Sequence, residues 1–569
     1  VAANALASPI SPEQALNRLS TNSLKLANTN TFSANDLVYT ETRDNLPTLY
    51  LFSKPGAGFL LLSADDVAIP VLGYSDSNTS IDPANIPANM RWWLSEYANE
   101  IAAATHRNAP YRAQSDNDDK APIEPLCTTL WDQDDPYNST CPNLNGNHCY
   151  TGCVATAMAQ MMRSHQWPQK GSGSISYTWN GRPLSADFSA MTFDWDNMLD
   201  SYKGSYTDDQ QNAVAQLMKA CGFSVEMAYG TDQSSASVYK VAPAMVTNFK
   251  YSYETVTILR RCFSYPDWLN EIYSSLANGN AVYYSGNNDY GGHAFVCDGY
   301  SSDNYFHINW GWSGLCNGYF LLDALDPSDQ GTGGTGYGYN ADQIAIVHAA
   351  PRTDDSKVTY AISLYDTFDY EYNPSSRYLT TKGRYMSTSS VAAIYRLGLK
   401  ITDADAHDTY IDSGWDYDLE PFWTYSYYYT QLPELLPGDY SAQCVFAVAT
   451  DSDTITDQDW HNVYSAPDNA CRLLIHVDDS GNVSLSSSVT TLLNETKTSL
   501  TEVSANSWLA TATADITSVA IYAMDGSRQS PTVVISGNTA TIDTAALLTG
   551  IYLITVTTSE DISVSKIKR

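Results

Sequence analysis

The 569-residue chain carries 63 acidic against 30 basic residues, a formal charge of -33, and 43% hydrophobic residues. That is too long for one hydrophobic core, and at roughly 150 residues per domain it suggests three or four. The charge argues against nucleic acid or an anionic membrane surface as a main partner, and no run of about 18 or more apolar residues marks a transmembrane helix.

Residues 1–120 open with a predicted helix, in which Ser11 caps, Pro12 takes the first turn and Glu13 sits at the positive end. Thr48–Phe52 and Gly58–Ser63 are short apolar runs around Lys54-Pro55-Gly56 and predict a hairpin. A second helix is expected from Met90 to about Ala104. The polar stretch Tyr111–Lys120 has no apolar periodicity and reads as an exposed, cleavable linker. Val1 is not an initiator methionine, as after removal of an export signal, although a trimmed chain reads the same.

Residues 121–352 hold the candidate chemistry. Val154, Ala157, Met158 and Met161 follow the i, i+3, i+4, i+7 spacing of a helical face, which Trp167-Pro168 stops. Four short apolar runs follow, Asn280–Ser285, His293–Asp298, Tyr305–Trp310 and Gly318–Leu322, separated by Gly, Asn and Ser loops. They predict an antiparallel meander. Helix first and sheet second is an α+β order. Residues 353–488 are Tyr-rich, with Phe422–Tyr429 and the turn-plus-strand Leu436–Tyr440, and residues 489–569 are rich in Thr, Ser, Val and Ile. Two β-sandwiches, Ig-like in class, are expected there.

Cys153 opens the predicted helix behind Thr151-Gly152. A thiol there meets unpaired N–H groups and the positive end of the helix dipole, which favour the thiolate. A small buried core cysteine fits the same pattern. A nucleophile needs a base and donors for the oxyanion. His293 follows Gly291-Gly292 at a strand start, and Asn309 on the neighbouring strand is placed to orient its ring, with Trp310 and Trp312 as shields. Each of these also fits a purely structural role. The ten cysteines lack the density of a disulfide scaffold, although Cys127, Cys141 and Cys149, and separately Cys444 and Cys471, are plausible partners in an exported protein. No zinc spacing is present, and acidic loops such as Asp403–Asp408 and Asp451–Asp453 read as solvated rather than calcium-binding. No metal or cofactor is expected.

Thr151–Ala157, Gly291–Val296 and His307–Trp312, in that order, resemble the streptopain family of secreted bacterial cysteine peptidases, its interpain-like members in particular. The resemblance extends through Trp131–Asn138, Tyr229-Gly230 with Ser234-Ser235, Val282–Tyr284 and Leu322–Pro327. It implies a papain-like α+β catalytic domain in which Cys153 is the nucleophile, His293 the general acid/base and Gln133 a side-chain donor of the oxyanion hole. Asn309 and Trp310 are then supports of His293. Ser235, Ser285, Asn287 and Trp312 are then substrate-side residues. Ser313 departs from the family's usual glycine, and Ser285 from a larger amide side chain. Gly58–Ser63, Val71–Ser75 and Asn85-Ile86-Pro87 resemble the family's inhibitory propeptide, which makes the chain an autoprocessing zymogen cut between about Tyr111 and Leu126.

The C-terminal residues, with Leu548–Tyr552 and Val564–Lys568, resemble the sorting domain of the type IX secretion pathway. That implies a partner in the secretion machinery and a place outside, or on the surface of, a Gram-negative cell. The expected substrates are proteins of the host or environment. An acyl transferase of the same fold and a surface adhesin with an inert cysteine are the alternatives. Product analysis with added amines separates the first, and the joint presence of Gln133, Cys153, His293 and Asn309 argues against the second.

Overall fold

Ser11 starts the first helix by a reciprocal pair of bonds. Its hydroxyl accepts from Gln14 N–H at 3.3 Å, while the Gln14 amide oxygen accepts from Ser11 N–H at 2.7 Å. This helix, α1 (Pro12–Asn17), precedes four antiparallel strands, β1 (Leu37–Arg43), β2 (Leu46–Lys54), β3 (Gly58–Ser63) and β4 (Val71–Ser75). The expected hairpin is β2–β3. Every residue of β3 is buried: Leu60 and Leu62 pack with Tyr50, Phe52 and Ala15 on one face, and Phe59 and Leu61 enter a larger core on the other. Burial on both faces explains the continuous rather than alternating apolar run. The second helix, α2 (Ala88–Thr105), follows as expected.

These elements belong to a computed structural model that describes residues 9–21, 32–75, 80–105, 120–288, 291–301, 304–322, 343–449, 455–466, 471–487, 498–504, 507–512, 515–523, 528–529, 531–545, 547, 551–558 and 562–568. The expected linker falls almost wholly outside them, as do Asp451–Asp453 and most of the stretches Leu322–Pro327 and Leu548–Tyr552. The chain divides into two units. One comprises residues 1–399, 410–432 and 444–471, and the other residues 400–409, 433–443 and 472–569.

In the first unit, helix α3 (Cys153–His165) buries every residue from Val154 through Met162, and Gln166 closes it in the left-handed region at φ 49°. It packs on α4 (Asp208–Ser224), where Cys221 Sγ lies 3.6 Å from Met162 Sδ. Helix α5 (Tyr265–Ala277) is capped by Ser264, with proline in its first turn. The strands are β5 (Val256–Leu259), β6 (Val282–Asn288), β7 (Gly291–Tyr300), β8 (Phe306–Asn309), β9 (Gly318–Phe320) and β10 (Ile344–Val347). The expected meander is β6–β7–β8–β9.

That meander sits inside a larger sheet. Ten strands run in the order β1-β2-β3-β4-β9-β8-β7-β6-β10-β5. β4 and β9 join the N-terminal segment to the meander, with Tyr319 opposite Tyr74 and Phe320 opposite Gly73. A Cβ on Gly73 would lie 2.6 Å from Phe320 Cδ1, so the close pairing needs glycine. One face of the sheet, with Tyr284, Phe295, Cys297 and Phe320, packs under α2, and the other, with Tyr283, Ala294 and Val296, packs on α3.

Beyond residue 353 the described chain is mostly antiparallel sheet: β11 (Ile362–Leu364), β12 (Asp369–Asn373), β13 (Tyr378–Ser387), β14 (Ala393–Thr402), β15 (Asp408–Leu419), β16 (Thr424–Gln431), β17 (Gly438–Val448), β18 (Arg472–Val477) and β19 (Val483–Ser487). In the first unit β13 pairs with β11 and β12 along one edge and β16 along the other. Buried Tyr428 of β16 meets the Tyr385 ring at 5.2 Å and donates to Gly398 O at 2.8 Å. Cys444 and Cys471 oppose each other through a 2.8 Å backbone bond. In the second unit, β20 (Thr498–Ser504), β21 (Ser507–Ala512), β22 (Ile516–Ala523), β23 (Thr532–Ser536), β24 (Thr539–Asp543), β25 (Ile551–Thr558) and β26 (Ile562–Lys568) make two sheets. Ala510 and Ile542 of one sheet share a core with Ile521 and Ile554 of the other.

Candidate active site

The turn before Cys153 is built on glycine. Gly152 has φ +85°, and a Cβ there would lie 2.9 Å from Met227 Cε and 3.1 Å from Ser234 O, so conformation and space both exclude a side chain. Ser234 Oγ donates to Tyr150 O at 2.7 Å and Thr151 N–H to Gln133 O at 3.0 Å, which fixes the turn against two neighbouring loops. Cys153 is the first residue of α3 and is half-buried. Burial pushes its thiol up, against the opposing pull of the Ala294, Val154 and Cys153 N–H groups. The expected thiolate is therefore corrected in this state: desolvation of the charge outweighs the helix terminus.

His293 lies opposite Gly286 in the β6–β7 register. Directly opposed residues of antiparallel strands project from the same face. A Cβ on Gly286 would sit 2.0 Å from Trp92 Cη2, so that face is the one under α2. The register thus directs His293 toward α2, whereas Ser285 and Ala294, paired one step along, face α3 and the cysteine. Burial holds the His293 ring below the usual imidazole range. No hydrogen bond joins Cys153 and His293 among the described residues. The register puts His293 and Cys153 on opposite faces of the sheet.

Helix α2 locks this arrangement with residues the sequence reasoning passed over. Asn89 Nδ2 donates to Trp310 O at 2.6 Å, and Trp93 meets the rings of Tyr284, Phe295 and Trp310 at 5.8, 5.6 and 6.0 Å. The tandem Trp92-Trp93 was the available signal, since two adjacent indoles on one helix must both find cover.

The other candidates divide between the faces. Asn309 is buried, and its side chain donates to Thr129 O at 2.7 Å and accepts from Gly311 N–H at 3.1 Å. Here it braces the strand end, and orienting His293, the role expected of it, is not what it does in this state, because the ring is on the opposite face. Trp310 is buried on the α2 side and donates to Cys316 O at 2.9 Å, while Trp312 is half-buried. Gln133 is half-buried beside Asp132, which accepts from Gln133 N–H and from Ser313 Oγ, both at 2.8 Å. Ser313 has φ +51°, the left-handed region where a glycine is at ease, and its hydroxyl accounts for the serine. Ser285 is buried, Ser235 is exposed and bonded through its backbone to Ala228, and Asn287 lies opposite Gly292.

A thiol at a helix start, a histidine on the neighbouring strand and an N-terminal helix laid over the sheet face opposite that histidine's strand partner fit a thiol peptidase under restraint. Residues 131–320 match the Peptidase C10 family, and residues 7–101 match the Spi protease inhibitor family. Streptopain of Streptococcus pyogenes serotype M28 (strain MGAS6180) is 35% identical over 328 residues, 53% of this chain and 81% of streptopain. The thiol protease/hemagglutinin PrtT of Porphyromonas gingivalis is 31% identical over 392 residues, 66% of this chain and 45% of that protein. A solved fragment of Prevotella intermedia prointerpain A is 33% identical, covering 55% of this chain and 98% of the fragment, at a TM-score of 0.49. The chain belongs to the Peptidase C10, or streptopain, family: it is a cysteine peptidase that carries an inhibitor-type propeptide.

Proposed function

We propose that the chain is the zymogen of a secreted, papain-like endopeptidase that frees itself by cutting between about residues 111 and 126. The observation that carries this is the contact of Trp92 with Gly286, opposite His293. Removing α2 uncovers that face and lets the β6–β7 hairpin carry the imidazole across to Cys153. His293 then takes the Cys153 proton, and the thiolate attacks the peptide carbonyl. The oxyanion is held by the Cys153 N–H and the Gln133 amide. His293 returns the proton to the leaving amine, leaving a thioester, and then activates water to hydrolyse it. Asn309 and Trp310 position His293 in that active state, and Ser235, Ser285, Asn287 and Trp312 line the substrate side.

The domain reading stays at 1–120, 121–352, 353–488 and 489–569, with the last two as Ig-like sandwiches. The shared core of the two C-terminal sheets supports a sandwich at 489–569, and the tail's likeness to a type IX sorting domain supports export from a Gram-negative cell. No helix among the described residues is long and apolar enough to cross a membrane. The test is an intact-mass time course on wild type and Cys153→Ala under mild reduction. Loss of an N-terminal fragment from wild type alone is expected. If neither chain changes and an alkylating probe does not prefer Cys153, the reading fails.

A further inference from the structure

Strand β16 presents Tyr425, Tyr427 and Tyr429 to solvent at 40%, 51% and 43% exposure, while Tyr428 between them is fully buried. The Tyr427 and Tyr429 rings therefore stand outside the core that Tyr428 supports, while Tyr425 meets buried Tyr417 edge to face at 4.5 Å. Successive outward positions stand about 6.8 Å apart along a strand, and the Tyr427 and Tyr429 rings meet edge to face at 5.4 Å. Across the same face, Tyr429 is followed by Thr380 and Glu371, and Tyr427 by Lys382 and Asp369. No aliphatic side chain lies among these pairs, so the surface does not suit an apolar protein partner.

Its charge is one-sided. Lys382 pairs with Glu371 and also feels Asp369. Lys382, the one cation among these pairs, thus faces two carboxylates. Aromatic faces attract cations through the ring quadrupole, and unneutralised carboxylates add to the pull. Among the described strands β16 hydrogen-bonds only to β13, so its outer edge can accept an extended chain.

We propose that this face is a docking surface for an extended, lysine- and arginine-bearing polypeptide, gripped by Tyr425, Tyr427 and Tyr429 and by the carboxylates around them. It does not depend on catalysis by Cys153. The test uses the full chain carrying Cys153→Ala and a fluorescein-labelled peptide of alternating arginine and threonine, read by anisotropy. The net charge of the chain attracts any basic peptide, so substitutions on the face, compared with the parent chain, separate docking there from bulk attraction. Tyr425→Ser/Tyr427→Ser/Tyr429→Ser is expected to weaken binding about tenfold, and Asp369→Asn/Glu371→Gln, which keeps the rings, several-fold, with a shallower salt dependence. If the triple variant fails to fold by circular dichroism, the charge variant decides. Unchanged affinity in the folded variants, equal binding of a glutamine–threonine peptide, or displacement by a neutral polysaccharide would overturn the proposal.

Discussion

At the scale of single residues, the candidate nucleophile and base are both kept uncharged by burial. For Cys153 the consequence is low reactivity: with its thiol pushed up, little thiolate is present near neutral pH. Alkylation of Cys153 by iodoacetamide, followed by peptide mass, is expected to be at least about tenfold slower in the intact chain than after removal of the N-terminal segment. For His293 the folded value is lowered, so the folded form prefers the neutral ring and the unfolded chain takes up the proton first as pH falls. Stability is thus lost on acidification below about pH 6.5, the ordinary imidazole value. In a Cys153→Ala background, His293→Gln is expected to flatten the fall of Tm between neutral and mildly acidic pH. His165, also lowered by burial, contributes the same slope to both chains and cancels. Ser313 makes a third case. Ser313→Gly relieves a left-handed serine, worth about 1 kcal/mol, but removes the bond to Asp132 of similar worth. Tm is expected to move little while kcat/KM of the released enzyme falls several-fold, because Asp132 also holds Gln133.

At the scale of elements, α2 acts as a cover rather than a neighbour. Its Trp92 occupies the space that any side chain at position 286 would need, and Asn89 ties its start to Trp310. Trp92→Ala leaves a cavity costing about 3–5 kcal/mol, nearly all in the docked N-terminal segment. A shortened lag in self-activation is expected, with the final rate on a peptide substrate unchanged. Gly286→Ala forces the same contact apart by overpacking and is expected to shorten the lag as well. A lag that stays at the wild-type length in both variants would show that α2 is not the restraint. Both contacts escaped sequence reasoning for one reason: a helix's apolar stripe tells that it is buried, not against what. By contrast α1, the β2–β3 hairpin and α3 were legible, because Ser11 with Pro12 and Glu13, Lys54-Pro55-Gly56 and the Val154–Met161 spacing act within a few residues of chain.

At the scale of the whole molecule, the ten-stranded sheet makes β1–β4 part of the same hydrogen-bonded structure as β5–β10. A chain beginning at residue 121 would expose β9 as a bare edge and uncover the aromatic face under α2, both hazards for association. Such a chain is expected to refold in low yield and to be rescued by residues 1–120 added in trans, as measured by recovered activity. Local signals in the sequence determined where helices and strands begin, that Gly152-Cys153 forms a helix start, and that Gly291–Val296 leads a strand. Tertiary structure alone decided which face His293 takes and that Gly73 pairs with Phe320. The physical reason is that β3 and β7 are buried on both sides. Where both faces are apolar the period-2 pattern vanishes, and register is then set by partners hundreds of residues away in sequence.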